Sequence, residues 1–226
     1  MDSTPSRLVM TGDGSHTLFD ARFDQHYHSI HGSLQESYRI FIELGLDPLL
    51  HTVDEIRVFE MGLGTGLNAL LTWQWAEAHR QPVYYVSIEA YPIAGSEAEQ
   101  LNYEALVGHS GLARIHQAAW GTPVQLSPYY TLLKYQTLLQ DFSAGGTLFD
   151  VIYYDAFAPR TQPQLWTADL FAHVADFTRM GGYLVTYCAK GTVQRALRSA
   201  GFRVEKLRGP LAKRHVLRGV REAGIS

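Results

Sequence analysis

From residue 55 onward the chain alternates short, almost continuous apolar runs with longer stretches in which apolar residues recur every three or four positions. Strands covered on both faces of a parallel sheet leave the first signature, and the helices that cover them leave the second. The pattern predicts strands over 56–60, 83–89, 151–155 and 183–188, with helices near 66–79, 94–106, 163–179 and 191–200. Two last strands, near 202–208 and 213–219, are joined by Gly209-Pro210-Leu211-Ala212. That link is too short for a right-handed helical crossover, so the pair is expected to run antiparallel. Residues 107–150, which include Trp120-Gly121-Thr122-Pro123, show no clear period. The expected class is α/β, with a mostly parallel sheet.

The first fifty residues read differently. Residues 7–11 and 16–19 are strand-like, and Gly12-Asp13-Gly14 between them supplies a hairpin turn able to take positive φ. A polar aromatic stretch, 23–29, follows. Ser33-Leu34-Gln35-Glu36 has the form of a capping box, with Leu34, Tyr38, Phe41 and Ile42 on one helical face and Gly45 as its stop. We therefore divide the chain into an accessory cap, 1–50, and a main domain, 51–226. In the first helix of that domain Trp73 and Trp75 lie two positions apart, so at most one is expected to face the core fully.

Composition narrows the class. A chain of 226 residues, 46% hydrophobic and 18% charged, can bury a sizeable core and is neither disordered nor fibrous. It has no apolar run of the roughly 18 to 20 residues that a membrane-spanning helix needs, and its opening lacks a signal peptide's apolar stretch. A soluble, cytoplasmic protein without a membrane partner is expected. Cys188 stands alone, which excludes an internal disulfide and a thiolate metal site, and is expected to be a buried strand thiol. His26, His28 and His31 sit close together beside a loop without helical i, i+4 spacing, so no metal is expected. Charge is uneven: residues 1–189 hold nine Lys/Arg against twenty Asp/Glu, and residues 190–226 hold ten against two. A basic tail on an acidic body fits an anionic partner such as nucleic acid, and fits equally a solvated helix and strand edge.

The chemistry concentrates at the ends of the expected strands. The glycines of Glu60-Met61-Gly62-Leu63-Gly64-Thr65-Gly66-Leu67-Asn68 follow a strand and open a helix, where bare backbone can approach a ligand and helix N–H groups stand free. A dinucleotide fingerprint needs its third glycine at position 67, which is leucine. Glu60 would repel a pyrophosphate but can accept from an ammonium group, such as the amine of a methionine moiety. This segment resembles the first motif of class I S-adenosylmethionine-dependent methyltransferases. The next strand ends at Glu89, where a ribose diol would donate to the carboxylate.

Asp155 ends a third apolar strand and begins the run Asp155-Ala156-Phe157-Ala158-Pro159, with Gln162-Pro163-Gln164-Leu165-Trp166 just beyond. A carboxylate there can accept a hydrogen bond from an amine and aim its nitrogen at a methyl donor. Alternatively Asp155 caps the helix near Pro163 or a nearby turn. Trp166 is expected to order the loop after Asp155 rather than stack on a base.

These segments, with Thr11-Gly12-Asp13-Gly14-Ser15, Tyr27-His28-Ser29 and Gly209-Pro210-Leu211-Ala212-Lys213-Arg214, resemble in order the bacterial MnmC-type tRNA methyltransferase domain over residues 8–220. The resemblance implies a Rossmann-like class I methyltransferase fold, here a seven-stranded sheet with an antiparallel last strand. It implies S-adenosylmethionine-dependent methylation of the amine of 5-aminomethyl(-2-thio)uridine at the tRNA wobble position, with the anticodon loop as partner. Carried onto this chain, it assigns Glu60, Gly62, Gly64, Gly66, Asn68, Glu89, Tyr27 and Ser29 to the cofactor and Asp155 to catalysis. Phe157 and Glu36 would meet the target base, and Lys190, Lys213 and Arg214 the RNA phosphates. Where the family tends to place Gly-Asp before the catalytic strand, this chain has Thr137-Leu138, which leaves no carboxylate for the adenine amino group; Asp141 is out of step. The flavin oxidase domain of some members has no room in 226 residues, so a separate protein is expected to form the aminomethyl precursor. A methyltransferase for a small-molecule amine, or a non-catalytic Rossmann-type nucleotide- or RNA-binding module, remain the alternatives.

Overall fold

A computed structural model describes residues 6–210 and 215–222. Strands β1 (Arg7–Met10), β2 (His16–Asp20) and β3 (Gln25–His26) form a small antiparallel sheet, followed by α1 (Ser33–Ser37), which continues as a π-helical stretch, Tyr38–Leu46. The capping box does not form. Gly32 is the N-cap, and the Ser33 hydroxyl is buried against Ser15 Oγ and donates to the His16 carbonyl, tying helix to hairpin instead. Nor does Gly45 stop the helix: it lies inside the π-helical stretch, where a Cβ would stand 3.1 Å from the Tyr153 ring, a tight contact.

The main sheet contains β4 (Ile56–Met61), β5 (Val83–Ile88), β6 (Val124–Ser127), β7 (Tyr130–Tyr135), β8 (Phe149–Tyr154), β9 (Thr178–Thr186), β10 (Phe202–Arg208) and β11 (His215–Arg221). Their order is β10-β11-β9-β8-β4-β5-β7-β6. Strands β7, β5, β4, β8 and β9 are mutually parallel, and β11 runs antiparallel to both β9 and β10, as the short link before it requires. Among the described residues the sheet has eight strands rather than the expected seven, because β6 adds an antiparallel edge to β7. Helices α2 (Leu67–His79), α3 (Gly95–Ala98), α4 (Tyr103–Val107), α5 (Leu112–Gln117), α6 (Ala168–Asp176) and α7 (Gly191–Ser199) complete the layers. The expected helix over 94–106 is two short ones, and that over 163–179 is a 3-10 turn, Pro163–Trp166, before α6, which Thr167 caps by accepting from the Leu170 amide.

Both Trp73 and Trp75 are buried, against expectation. Helix α2 is enclosed on nearly every side: Trp73 stacks on Tyr130 and donates to Ser127 Oγ, while Trp75 donates to Asp47 Oδ1 from the other flank. The core does not break at residue 50. Ile40, Phe41, Ile42 and Leu46 join Val58, Tyr153 and Val185 in one apolar cluster, and Tyr183 donates to the Gly45 carbonyl at 2.7 Å. The hairpin and its loop are thereby fixed over the carboxyl ends of the parallel strands, where open α/β sheets bind their ligands.

Candidate active site

The loop after β4 is held from three sides. The amides of Gly62 and Leu63 donate to the Ile88 carbonyl at the end of β5, and the Gly64 amide donates to Glu89 Oε2 at 2.9 Å. His28, from the N-terminal segment, shares a 2.8 Å hydrogen bond with Thr65 Oγ1, to which the Tyr103 hydroxyl also donates. Gly64 has φ +50°, and a Cβ there would stand 2.9 Å from Tyr27 Cδ1. Glycine is thus required twice, for the backbone conformation and for the aromatic ring lying on it.

Two cavities open beside this loop. The first, about 910 Å³ out to solvent, is walled by Gly62, Gly64, Glu89, Tyr91, Thr137, Leu138, Gln140 and Gln162, with Phe23 and Tyr27 closing over it. The second, about 1170 Å³, is lined by His26, His28, Ser29, His31, Glu36, Arg160 and Tyr187. Tyr27, Asp155, Ala156 and Phe157 border both. Asp155 therefore stands in the partition between them, beside the Tyr27 and Phe157 rings, whose centroids are 5.3 Å apart. Its Oδ2 accepts from Asn68 Nδ2 at 2.9 Å. The N-cap of the 3-10 turn is Gln162, which makes no side-chain cap hydrogen bond. Trp166 donates to the Phe157 carbonyl at 2.9 Å and so orders the Asp155 loop, and Tyr187 donates to the Ala156 carbonyl at 2.9 Å.

The assigned residues divide into four groups. Gly62, Gly64 and Glu89 line the first cavity, Ser29 and Glu36 the second, and Tyr27, Phe157 and Asp155 both. Gly66 starts α2 with φ +79° but faces His116, and Asn68 reaches the site only through Asp155. Glu60 lines neither cavity. Its place in β4 turns it away from them, toward α2, where it is fully buried and accepts from Ser87 Oγ. Lys190 is exposed just before α7, and Lys213 and Arg214 lie outside the described residues. The sequence reading missed Phe23, Tyr91, Tyr187 and Arg160; only the aromatic character of 23–29 signalled the first of these.

The first cavity suits S-adenosylmethionine. Both Glu89 oxygens face backbone amides, Oε2 that of Gly64 and Oε1 that of Tyr91, which fixes the carboxyl where a ribose diol would reach it. Leu138 and Tyr91 offer apolar surface for a base, and Thr137 and Leu138 supply no carboxylate there, as the sequence implied. Among the described residues no group of three His, Cys, Asp or Glu could hold a metal, and no helix is long and apolar enough to cross a membrane.

Comparison with known proteins agrees with this geometry. A family model for S-adenosyl-L-methionine-dependent methyltransferases matches residues 132–222. The chain is 32% identical, over 90% of its length, to the tRNA 5-methylaminomethyl-2-thiouridine biosynthesis bifunctional protein MnmC of Delftia acidovorans. It is 33% identical over 85% of its length to that of Ralstonia nicotianae. The alignments cover 33% and 31% of those proteins, so the chain spans about a third of their length. Its fold matches the crystal structure of MNMC2 from Aquifex aeolicus with a TM-score of 0.80 and 20% identity, over 99% of this chain and 73% of that one. In sequence and in fold the chain is a Rossmann-like relative of the S-adenosyl-L-methionine-dependent methyltransferases, similar along nine-tenths of its length to one third of an MnmC protein.

Proposed function

We propose that the chain methylates the primary amine of 5-aminomethyl(-2-thio)uridine at the wobble position of tRNA, using S-adenosylmethionine and giving the 5-methylaminomethyl base. The observation that carries this reading is the shared wall: a carboxylate between a cavity fit for the cofactor and a second, polar cavity wide enough for a splayed base. Bound in the first cavity, S-adenosylmethionine supplies an electrophilic methyl group. Gly62, Gly64 and Glu89 would hold it, with Tyr27 closing over the end nearest Asp155.

The remaining work belongs to the chain. An alkylamine similar to lysine's is mostly protonated at neutral pH and must lose a proton before its nitrogen can form the new N–CH3 bond. A free carboxylate is a weaker base than such an amine by about six pKa units, so Asp155 does not strip the proton irreversibly. It accepts a hydrogen bond from the nitrogen and aims its lone pair across the partition. It also stabilises the positive charge that builds on nitrogen as the bond forms, before the surplus proton leaves to solvent. Tyr27 and Phe157 flank the nitrogen with apolar surface and keep water from the transfer path.

The surface around the second cavity favours RNA over a free amine. Arg160 stands at its rim and makes no ion pair among the described residues; Lys190, Arg195 and Arg198 are also exposed, in and just before α7. The anticodon loop is single-stranded, so its base can enter without breaking a duplex. A preceding reaction must expose the primary amine. Incubating undermodified tRNA with the protein and S-adenosylmethionine, then digesting it for nucleoside mass spectrometry, tests the proposal. Gain of one methyl on the aminomethyl base is expected; an unchanged nucleoside profile with demonstrably bound cofactor would reject it.

A further inference from the structure

Glu60 belongs to neither cavity, yet it is a fully buried carboxyl one side chain away from Asp155. Ser87 Oγ donates to its Oε2 at 2.7 Å, while Oε1 has no partner. The Asn68 side chain and the Tyr85 hydroxyl lie within hydrogen-bonding reach of the same carboxyl, but Asn68 Oδ1 and Tyr85 OH also lack an aligned partner. Asn68 Nδ2 is already committed to Asp155 Oδ2. A carboxylate oxygen and an amide oxygen are both acceptors, so leaving the two unpaired together in the core costs free energy. One proton on Oε1 makes it a donor and satisfies both.

We propose that Glu60 is a positioning residue: protonated, it donates from Oε1 to Asn68 Oδ1 and so holds the Asn68 amide with Nδ2 on Asp155. The inference rests on the role given to Asp155 above, and it replaces the sequence-based assignment of Glu60 to the methionine amine. Burial and the Asp155 charge outweigh the hydrogen bonds from Ser87, Tyr85 and Asn68 that favour the ionised form of Glu60. Tyr85 and Ser87 face it from β5, Tyr130 from β7, Tyr153 from β8 and Asn68 from α2, with Asp155 beyond β8; none of these supplies a positive charge. Burial, to which the Asp155 charge adds, pushes the Glu60 carboxyl up to about 8. Once ionised, Glu60 would compete for Asn68 Nδ2, turn the amide away from Asp155 and put a second negative charge beside it.

The sign of the pH effect follows. Glutamate in the unfolded chain ionises near 4.3, so between there and about 8 the folded state holds the extra proton and stability falls as pH rises. Glu60→Gln supplies the same donor without a titration. Its melting temperature should exceed wild type by a margin that widens from pH 5 to 8 and then levels. Its affinity for S-adenosylmethionine by calorimetry, and its kcat at neutral pH, should stay within about threefold, and the alkaline decline of kcat should disappear. Glu60→Ala should lower kcat by at least about tenfold, but cost nothing further in an Asn68→Ala background. Three results would overturn the proposal: a pH-independent melting gap, a tenfold loss of cofactor affinity in Glu60→Gln, or an undiminished Glu60→Ala effect without Asn68. The melting and calorimetry experiments need no RNA, so failure of the tRNA reading leaves them interpretable.

Discussion

The two cavities that meet at Asp155 are built from different materials. The cofactor-side cavity is walled largely by strand ends and the loops leaving them, Gly62, Gly64 and Glu89 on one side, Thr137, Leu138 and Gln140 on the other. Its Glu89 carboxyl is held by the backbone amides of Gly64 and Tyr91 at the end of the parallel ladder. The substrate-side cavity is lined by side chains: Ser29, His31 and Glu36 from the first fifty residues, with Arg160 and Tyr187 opposite. A pocket whose key carboxylate is locked onto backbone amides is fixed by the strands behind it. A side-chain-lined pocket can be respecified one residue at a time. The difference teaches that a common cofactor and a particular substrate make separate demands on one fold, and that the partition is where both must hold together.

The largest effect should come from that partition. Asp155→Ala removes the acceptor that aims the amine, and we expect kcat to fall by about 10²- to 10⁴-fold. Cofactor affinity should stay within about threefold, because no backbone contact of the first cavity is lost. Single-turnover methyl transfer and calorimetry, run on the same preparation, check the two halves. Unchanged turnover would remove Asp155 from the chemistry, and lost cofactor binding would make the partition part of the first cavity alone.

Next in size is the damage done by giving Gly64 a side chain. An alanine must adopt φ near +50°, at a cost of roughly 1–2 kcal/mol, and its Cβ would press on Tyr27 Cδ1 at 2.9 Å. We expect the Kd for S-adenosylmethionine to rise about tenfold or more. In a Tyr27→Ala background the steric part of that penalty should vanish and only the backbone part remain. An equal penalty with and without the ring would show that the cap does not bear on the cofactor loop.

The same contrast explains what the sequence disclosed. Glycine spacing, a carboxylate at a strand end and an Asp before an aromatic and a proline are local signals, and they led directly to Gly62, Gly64, Glu89 and Asp155. Strand β7 was not visible. Its run Tyr130-Thr131-Leu132-Leu133-Lys134-Tyr135 places a lysine inside a buried parallel strand, which breaks the apolar pattern. The structure resolves the conflict: Lys134 Nζ donates to the Ile115 and His116 carbonyls at the end of α5 and lies over the Trp120 ring. Those partners are 14 to 19 residues away along the chain, and no periodicity announces them. Glu60 failed in the opposite sense. The motif identified the residue, but strand alternation decided which face it took, and a single position reversed the expected contact.

The smallest effect tests the substrate side alone. Arg160 is exposed at the rim of the second cavity and also borders a shallow pocket shared with Arg22 and Asp24. A charge in that position would meet an RNA phosphate in high dielectric, where a single contact contributes little and salt weakens it further. Arg160→Ala should therefore raise the KM for tRNA only a few-fold, leave kcat and cofactor affinity unchanged, and reduce the salt dependence of tRNA binding by about one counterion. Filter binding across a salt series measures that slope without any chemistry. An altered cofactor affinity would break the separation between the cavities. An unchanged slope would move the phosphate contact to another basic residue, with exposed Lys190 the first to substitute.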